Sequence, residues 1–111
     1  MTQKPSLQYF DVMGRGQPLR MAMWYTNMEF DDVRVSFEDW PAVKPTTPAG
    51  SMPVLTSPWG DKLTQLVPTM RFIGHNTNLY STDPKEMMAI DQLADFGHEC
   101  LGGLSGVAQA A

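Results

Sequence analysis

The chemistry-bearing residues of this chain are few and scattered. Tyr9 ends a β-prone run, and a phenol in that position is, from position alone, a strand residue packing the sheet. Arg15 stands between Gly14 and Gly16, where from position alone it is a solvated loop charge. Trp40 and Lys44 offer an indole N–H and an ammonium, both donors suited to a carboxylate, although Trp40 also serves to anchor a proline-rich loop. Asp95, His98 and Glu99 are the one group with metal-ligand chemistry. Their spacing is weak and Gly97 loosens the helix there, so a solvated helix face is the preferred reading and no metal is expected. Cys100 is the single cysteine, which excludes an internal disulfide and a cysteine-based zinc site and suits a reducing compartment.

The elements that must position these residues follow from the pattern. Ser6 to Phe10 predicts a first strand, and Asp11 to Gly16 a loop. Pro18 suits the first turn of a helix running to about Asn27. Leu19, Ala22, Met23 and Thr26 share one face of that helix, and Met21, Trp24, Tyr25 and Met28 another. A helix with two apolar faces is covered on two sides, and the sheet covers one. Phe30 to Phe37 predicts strand two, and Trp40 to Gly50 an irregular loop rich in proline. Met52 to Thr56 and Lys62 to Gln65 predict a hairpin, followed by a helix from Val67 to Ile73 closed by Gly74. Asp83, Pro84 and Glu86 form a capping-box helix start. That helix is expected to stop at Gly102 and Gly103. A crossover helix makes strands one and two parallel. The expected fold is α/β: a four-stranded mixed sheet in the order βαβ–ββα, plus one trailing helix.

Bulk properties narrow the function. The chain has 111 residues, 42% of them hydrophobic and 18% charged, which suits one globular domain. A formal charge of −4 and no Lys/Arg cluster argue against nucleic acid as a partner. No stretch approaches the ~20 apolar residues of a membrane span. Met1 to Leu7 is polar and lacks a signal-peptide core, so a cytoplasmic location is expected.

A series of motifs then resembles one family. Leu7-Gln-Tyr-Phe-Asp-Val-Met-Gly-Arg-Gly-Gln-Pro-Leu-Arg20 is similar to the opening of cytosolic glutathione transferases of the sigma-like type. Trp40-Pro41 with Lys44-Pro45, Gly50-Ser-Met-Pro-Val-Leu55, Leu63-Thr-Gln65, Arg71-Phe-Ile-Gly74, Asn78-Leu-Tyr80 and Asp83-Pro with Glu86 continue the resemblance in order. It covers residues 6 to 95. It implies a thioredoxin-like domain over residues 1–81, the first helix of an all-helical domain over 82–102, and a flexible tail over 103–111.

The resemblance also implies chemistry: glutathione, as co-substrate, attacks an electrophile through its thiolate, which the site must stabilise. Tyr9 would donate its hydroxyl to the sulfur and Arg15 would support it electrostatically. Trp40 and Lys44 would hold the glycine carboxylate. Pro53 resembles the cis-proline of thioredoxin-like folds, presenting the backbone of Met52 to the cysteinyl part as an added strand. Gln65 would grip the γ-glutamyl end. Leu66 departs from the pattern, because the family carries a hydroxyl there that caps the next helix and binds the γ-glutamyl carboxylate. Glu99 would reach a neighbouring subunit's glutathione across a dimer. The sequence ends within the family's helical domain, which normally covers the first helix. A second copy or another polypeptide is therefore expected over Met21, Trp24, Tyr25 and Met28. The alternative reading is a non-catalytic structural or binding subunit of a larger assembly, and a third is a fragment.

Overall fold

In the computed structural model the backbone is described for residues 4–110 and the side chains for residues 4–100. Four strands form one sheet in the order β2-β1-β3-β4. They are β1 (Ser6–Phe10), β2 (Asp31–Val35), β3 (Val54–Thr56) and β4 (Lys62–Leu63). β1 and β2 are parallel, with Leu7 opposite Asp32 and Phe10 opposite Val35. β3 runs antiparallel to β1, and β4 antiparallel to β3 with Leu55 opposite Leu63. The crossover between the parallel strands is α1 (Gln17–Tyr25), with Pro18 in its first turn. The mixed α/β architecture expected from the element order is the one observed.

The apolar faces explain the layering. Leu7 and Leu55 of the sheet, Leu19, Ala22 and Met23 of α1, and Ile73 of α3 (Leu66–Thr77) form the main core cluster. A second cluster gathers Tyr9, Val35, Met52 and Val54, and Trp40 and Val43 pack against it. Those two belong to α2 (Trp40–Val43), a short helix followed by a 3-10 turn at Lys44–Thr46. The segment expected to be irregular therefore begins with ordered turns. Pro41 and Pro45 fall within the first two positions of those turns, where a missing N–H is harmless.

Helix ends depart from expectation in instructive ways. α3 continues past Gly74 and closes at Asn78, which takes the left-handed conformation at φ 63°. Gly74 is instead buried within the helix. A Cβ built on it would lie 2.6 Å from Tyr80 Cβ and 3.2 Å from the Tyr80 backbone nitrogen. It is glycine because the chain after α3 folds back against it. Gly74→Ala tests this. Alanine gains about 1 kcal/mol of helix propensity, but the overpacking costs typically about 1–3 kcal/mol. A net loss of stability in urea denaturation is expected; a gain would mean that Tyr80 moves freely.

The last helix, α4 (Pro84–Ala110), starts where expected: Asp83 Oδ2 accepts the Glu86 N–H at 3.3 Å. The Asp83 N–H donates to the Ser81 hydroxyl oxygen at 3.0 Å rather than to the Glu86 side chain. The expected stop at Gly102 and Gly103 is not observed, and the backbone of the expected tail is helical through Ala110. Glycine weakens a helix by about 1 kcal/mol without forbidding it, and no proline follows Pro84 to remove a backbone donor. Ala111 lies outside the described residues.

α4 docks on α3 through a polar cluster. Arg71 donates to both carboxylate oxygens of Asp91, and the Tyr80 hydroxyl donates to Asp91 Oδ1 at 2.9 Å. The guanidinium, followed by the phenol, holds the Asp91 carboxyl below its ordinary value.

Candidate functional site

A groove of about 320 Å³ opens between the β3 approach, the start of α3 and α4. Arg15, Ser51, Met52, Pro53, Thr64, Gln65, Leu66 and His98 line it. Met52 leads into β3 through a cis bond to Pro53. The β1–β3 ladder ends at Gln8 opposite Val54, so the Met52 backbone lies beyond the last paired residue.

The floor of the groove turns at Gln65, whose φ of 73° and ψ of 143° are costly for a residue with a side chain. Gln65 precedes α3 without a side-chain cap. Pro68 has no N–H, and the Thr69 N–H bonds back to the Gln65 carbonyl at 3.4 Å. Leu66 and Val67 therefore supply the open donors of the first turn, a place that favours an anion. Leu66 has a packing role as well, since it is half-buried against the main core cluster.

At the other wall, the Arg15 backbone N–H donates to the Tyr9 hydroxyl at 2.9 Å. Tyr9 is buried, 7% exposed, and does not line the groove itself. Its ring is held by glycines: a Cβ on Gly14 would fall 2.3 Å from the Tyr9 oxygen, and one on Gly16 2.4 Å from Cδ2. No larger residue fits either place. The Arg15 side chain crosses to α4, with Nη1 at 2.7 Å from His98 Nε2.

The sequence-stated candidates thus divide. Arg15, Met52, Pro53, Gln65 and Leu66 meet in one groove. Tyr9 sits behind it, linked through Arg15. Trp40 does not line it; its ring meets Phe10 edge-on at 5.4 Å and packs against the Tyr9 cluster. Lys44 and Glu99 are exposed and also stand outside the lining. Asp95, His98 and Glu99 do not converge: among the described residues no three His, Cys, Asp or Glu side chains gather as metal ligands. Of the second face of α1, Met21, Trp24 and Tyr25 are exposed, but Met28 turns into the main core. It follows the end of the helix and no longer obeys its periodicity.

Sequence reasoning missed His98, Ser51 and Thr64 in the groove, and the buried Arg20 beside the Tyr9 ring. Met87, Asp91, Ala94 and His98 recur at helical spacing and are the half-buried stripe of α4. That spacing was the signal for His98. Arg20 is fully buried. It donates to Asp32 Oδ1 at 3.1 Å and to the carbonyls of Val12 at 2.8 Å and Phe10 at 3.0 Å. Its Cζ stands 5.6 Å from the Tyr9 ring centroid. It pins the loop that carries Arg15.

Comparison with known proteins points one way. A glutathione S-transferase of Anopheles gambiae is 44% identical over 87 residues, covering 78% of this chain and 42% of its own length. Glutathione S-transferase S1 of Drosophila melanogaster is 40% identical over 90 residues, covering 81% of this chain and 36% of its own. The chain thus spans well under half the length of these curated relatives. No family model matches it. Among solved structures, the glutathione S-transferase of Ascaris lumbricoides superposes with a TM-score of 0.85 at 31% identity, over 96% of this chain and 51% of that one. Prostaglandin synthase D of Nilaparvata lugens gives 0.83 at 31% identity, over 93% and 52%. By sequence and by fold this chain is a relative of the glutathione S-transferases, matching their N-terminal thioredoxin-like domain.

Proposed function

We propose that the groove binds glutathione and that Tyr9 stabilises its thiolate for attack on an electrophile, as a sigma-like transferase of the tyrosine type. The observation that carries this reading is the groove's polarity. Among the described residues its lining holds the cation of Arg15 and no carboxylate, and it ends at the open first-turn donors of α3. An extended peptide placed beside Met52 meets backbone beyond the β1–β3 ladder, as in strand addition. Its γ-glutamyl carboxylate then reaches Leu66 and Gln65. Trp40 and Lys44, on α2 and the turn after it, are assigned to the glycine carboxylate. Glu99, exposed on α4, is assigned to a partner's glutathione across a dimer.

The alternative is a non-catalytic subunit, and two features bear on the choice. Leu66 replaces a hydroxyl at the carboxylate end, and the exposed Met21, Trp24 and Tyr25 suit a face covered by a second copy or another polypeptide. Calorimetry with glutathione separates the two. Wild type should bind, and Leu66→Ser should bind more tightly. A hydrogen bond to a charged group contributes about 1.5–3 kcal/mol, or roughly 10- to 100-fold in affinity. Removing the half-buried leucine lowers folding stability by about 1–2 kcal/mol through lost apolar burial, offset by the gained cap. A wild type that gives no heat at millimolar glutathione favours the non-catalytic subunit.

A further inference from the structure

Arg15 and His98 lie 83 positions apart in sequence and meet at one end of the groove. Arg15 Nη1 stands 2.7 Å from His98 Nε2 and 3.4 Å from Nδ1. A guanidinium can only donate, so the shorter contact assigns the acceptor to Nε2 and the ring proton to Nδ1. Both side chains are half-buried. Among the described residues Arg15 is the one charged side chain within hydrogen-bond distance of His98. On α4 itself Asp95 and Glu99 are exposed, and Asp91 is turned to Arg71 of α3 and to Tyr80.

Arg15 springs from a single 3-10 turn, Gly14–Gly16, with glycine on either side. Such a support fixes a backbone N–H but not a long side chain. We propose that His98 is a positioning residue for Arg15, holding the guanidinium at the groove so that it faces the thiolate of the bound ligand. This rests on the glutathione reading above and assigns α4 a part in the site's electrostatics. A cation fixed before the ligand arrives favours the anionic form of a thiol more than a freely moving one does, because no reorganisation is needed when charge develops.

Two readouts test it. In the ligand-free protein, ¹⁵N NMR of the imidazole should show the Nδ1–H tautomer of His98, and Arg15→Met should shift it toward Nε2–H. In the glutathione complex, the ultraviolet absorbance of the thiolate gives the pH at which the bound thiol ionises. His98→Leu should raise that pH by about half a unit, roughly a threefold smaller thiolate fraction at a given pH, with glutathione affinity close to wild type. His98→Gln keeps an acceptor and should restore most of the loss. In an Arg15→Met background, His98→Leu should have no further effect. A tautomer unchanged by Arg15→Met overturns the contact. A wild-type ionisation pH in His98→Leu overturns the positioning role. Wild type that shows the tautomer change but binds no glutathione overturns the ligand assignment, and with it the role given to His98.

Discussion

Asp32→Ala is expected to destabilise the domain by about 3 kcal/mol or more, within the 3–5 kcal/mol range for breaking a buried ion pair from one side. Arg20 has no exposed surface, so it cannot exchange a lost partner for water by a small motion. Its remaining hydrogen bonds would be to the neutral carbonyls of Val12 and Phe10. Those two bonds satisfy donors without neutralising the charge. The Asp32 side chain is 24% exposed, which lets some water in and places the expected loss at the lower end of the range. Asp32 also accepts from Arg34 Nη2 at 2.9 Å, but that pair is exposed and contributes little. Arg20→Met removes the charge itself and keeps most of the volume, so it should cost less than Asp32→Ala despite the two carbonyls it orphans. Total stability of a small domain is about 5–15 kcal/mol, so the Asp32 loss is readable in a urea titration. An Asp32→Ala midpoint within about 1 kcal/mol of wild type would show that Arg20 finds water after all.

The same arginine shows where sequence reading stops. β1, the parallel partner β2 and the β3–β4 hairpin were legible, because alternation, turn residues and the crossover helix each point to one arrangement. Arg20 was not. It sits among Leu19, Ala22 and Met23, all buried, and a charged residue within that run reads as solvated unless its partner is known. The partner, Asp32, lies beyond the crossover helix on β2. Gly74 failed for a related reason. A glycine near a helix end reads as a terminator, and only the return of Tyr80 shows it to be a point of close approach. Gly102 and Gly103 were over-read in the same direction.

The groove was half legible. Met52, Pro53 and Gln65 lie within short stretches whose order along the chain carries the family resemblance, Leu66 is where that pattern breaks, and Arg15 stands in the loop just beyond the strand of Tyr9. His98 required knowledge of how α4 docks. That docking is set by Arg71, Tyr80 and Asp91, residues that touch no part of the groove. Distant packing thus selects which face of α4 meets Arg15. Trp40 and Lys44 were named from their place in the family's run of motifs and from their donor chemistry, and neither lines the groove.

On the glutathione reading proposed above, Tyr9→Phe should separate catalysis from binding. The hydroxyl accepts the Arg15 N–H at 2.9 Å and retains its own proton to donate. Deleting the oxygen keeps the ring, which Gly14 and Gly16 clasp and which packs with Val35, Met52 and Val54. The groove lining is therefore unchanged, and glutathione affinity should stay within about twofold of wild type. A hydrogen bond to an anionic sulfur contributes about 1.5–3 kcal/mol, so the bound thiol should ionise roughly 1–2 units higher. At neutral pH that is a 10- to 100-fold smaller thiolate fraction, and kcat/KM toward any electrophile should fall in proportion. Arg15 is half-exposed, so its freed N–H can reach water and folding stability should change by less than about 1 kcal/mol. Tyr25→Phe, on the exposed face of α1, should alter neither quantity. An unchanged thiol ionisation in Tyr9→Phe, with glutathione bound, would reduce Tyr9 to a packing residue of the sheet. The groove would then bind glutathione without activating it, as a non-catalytic subunit does.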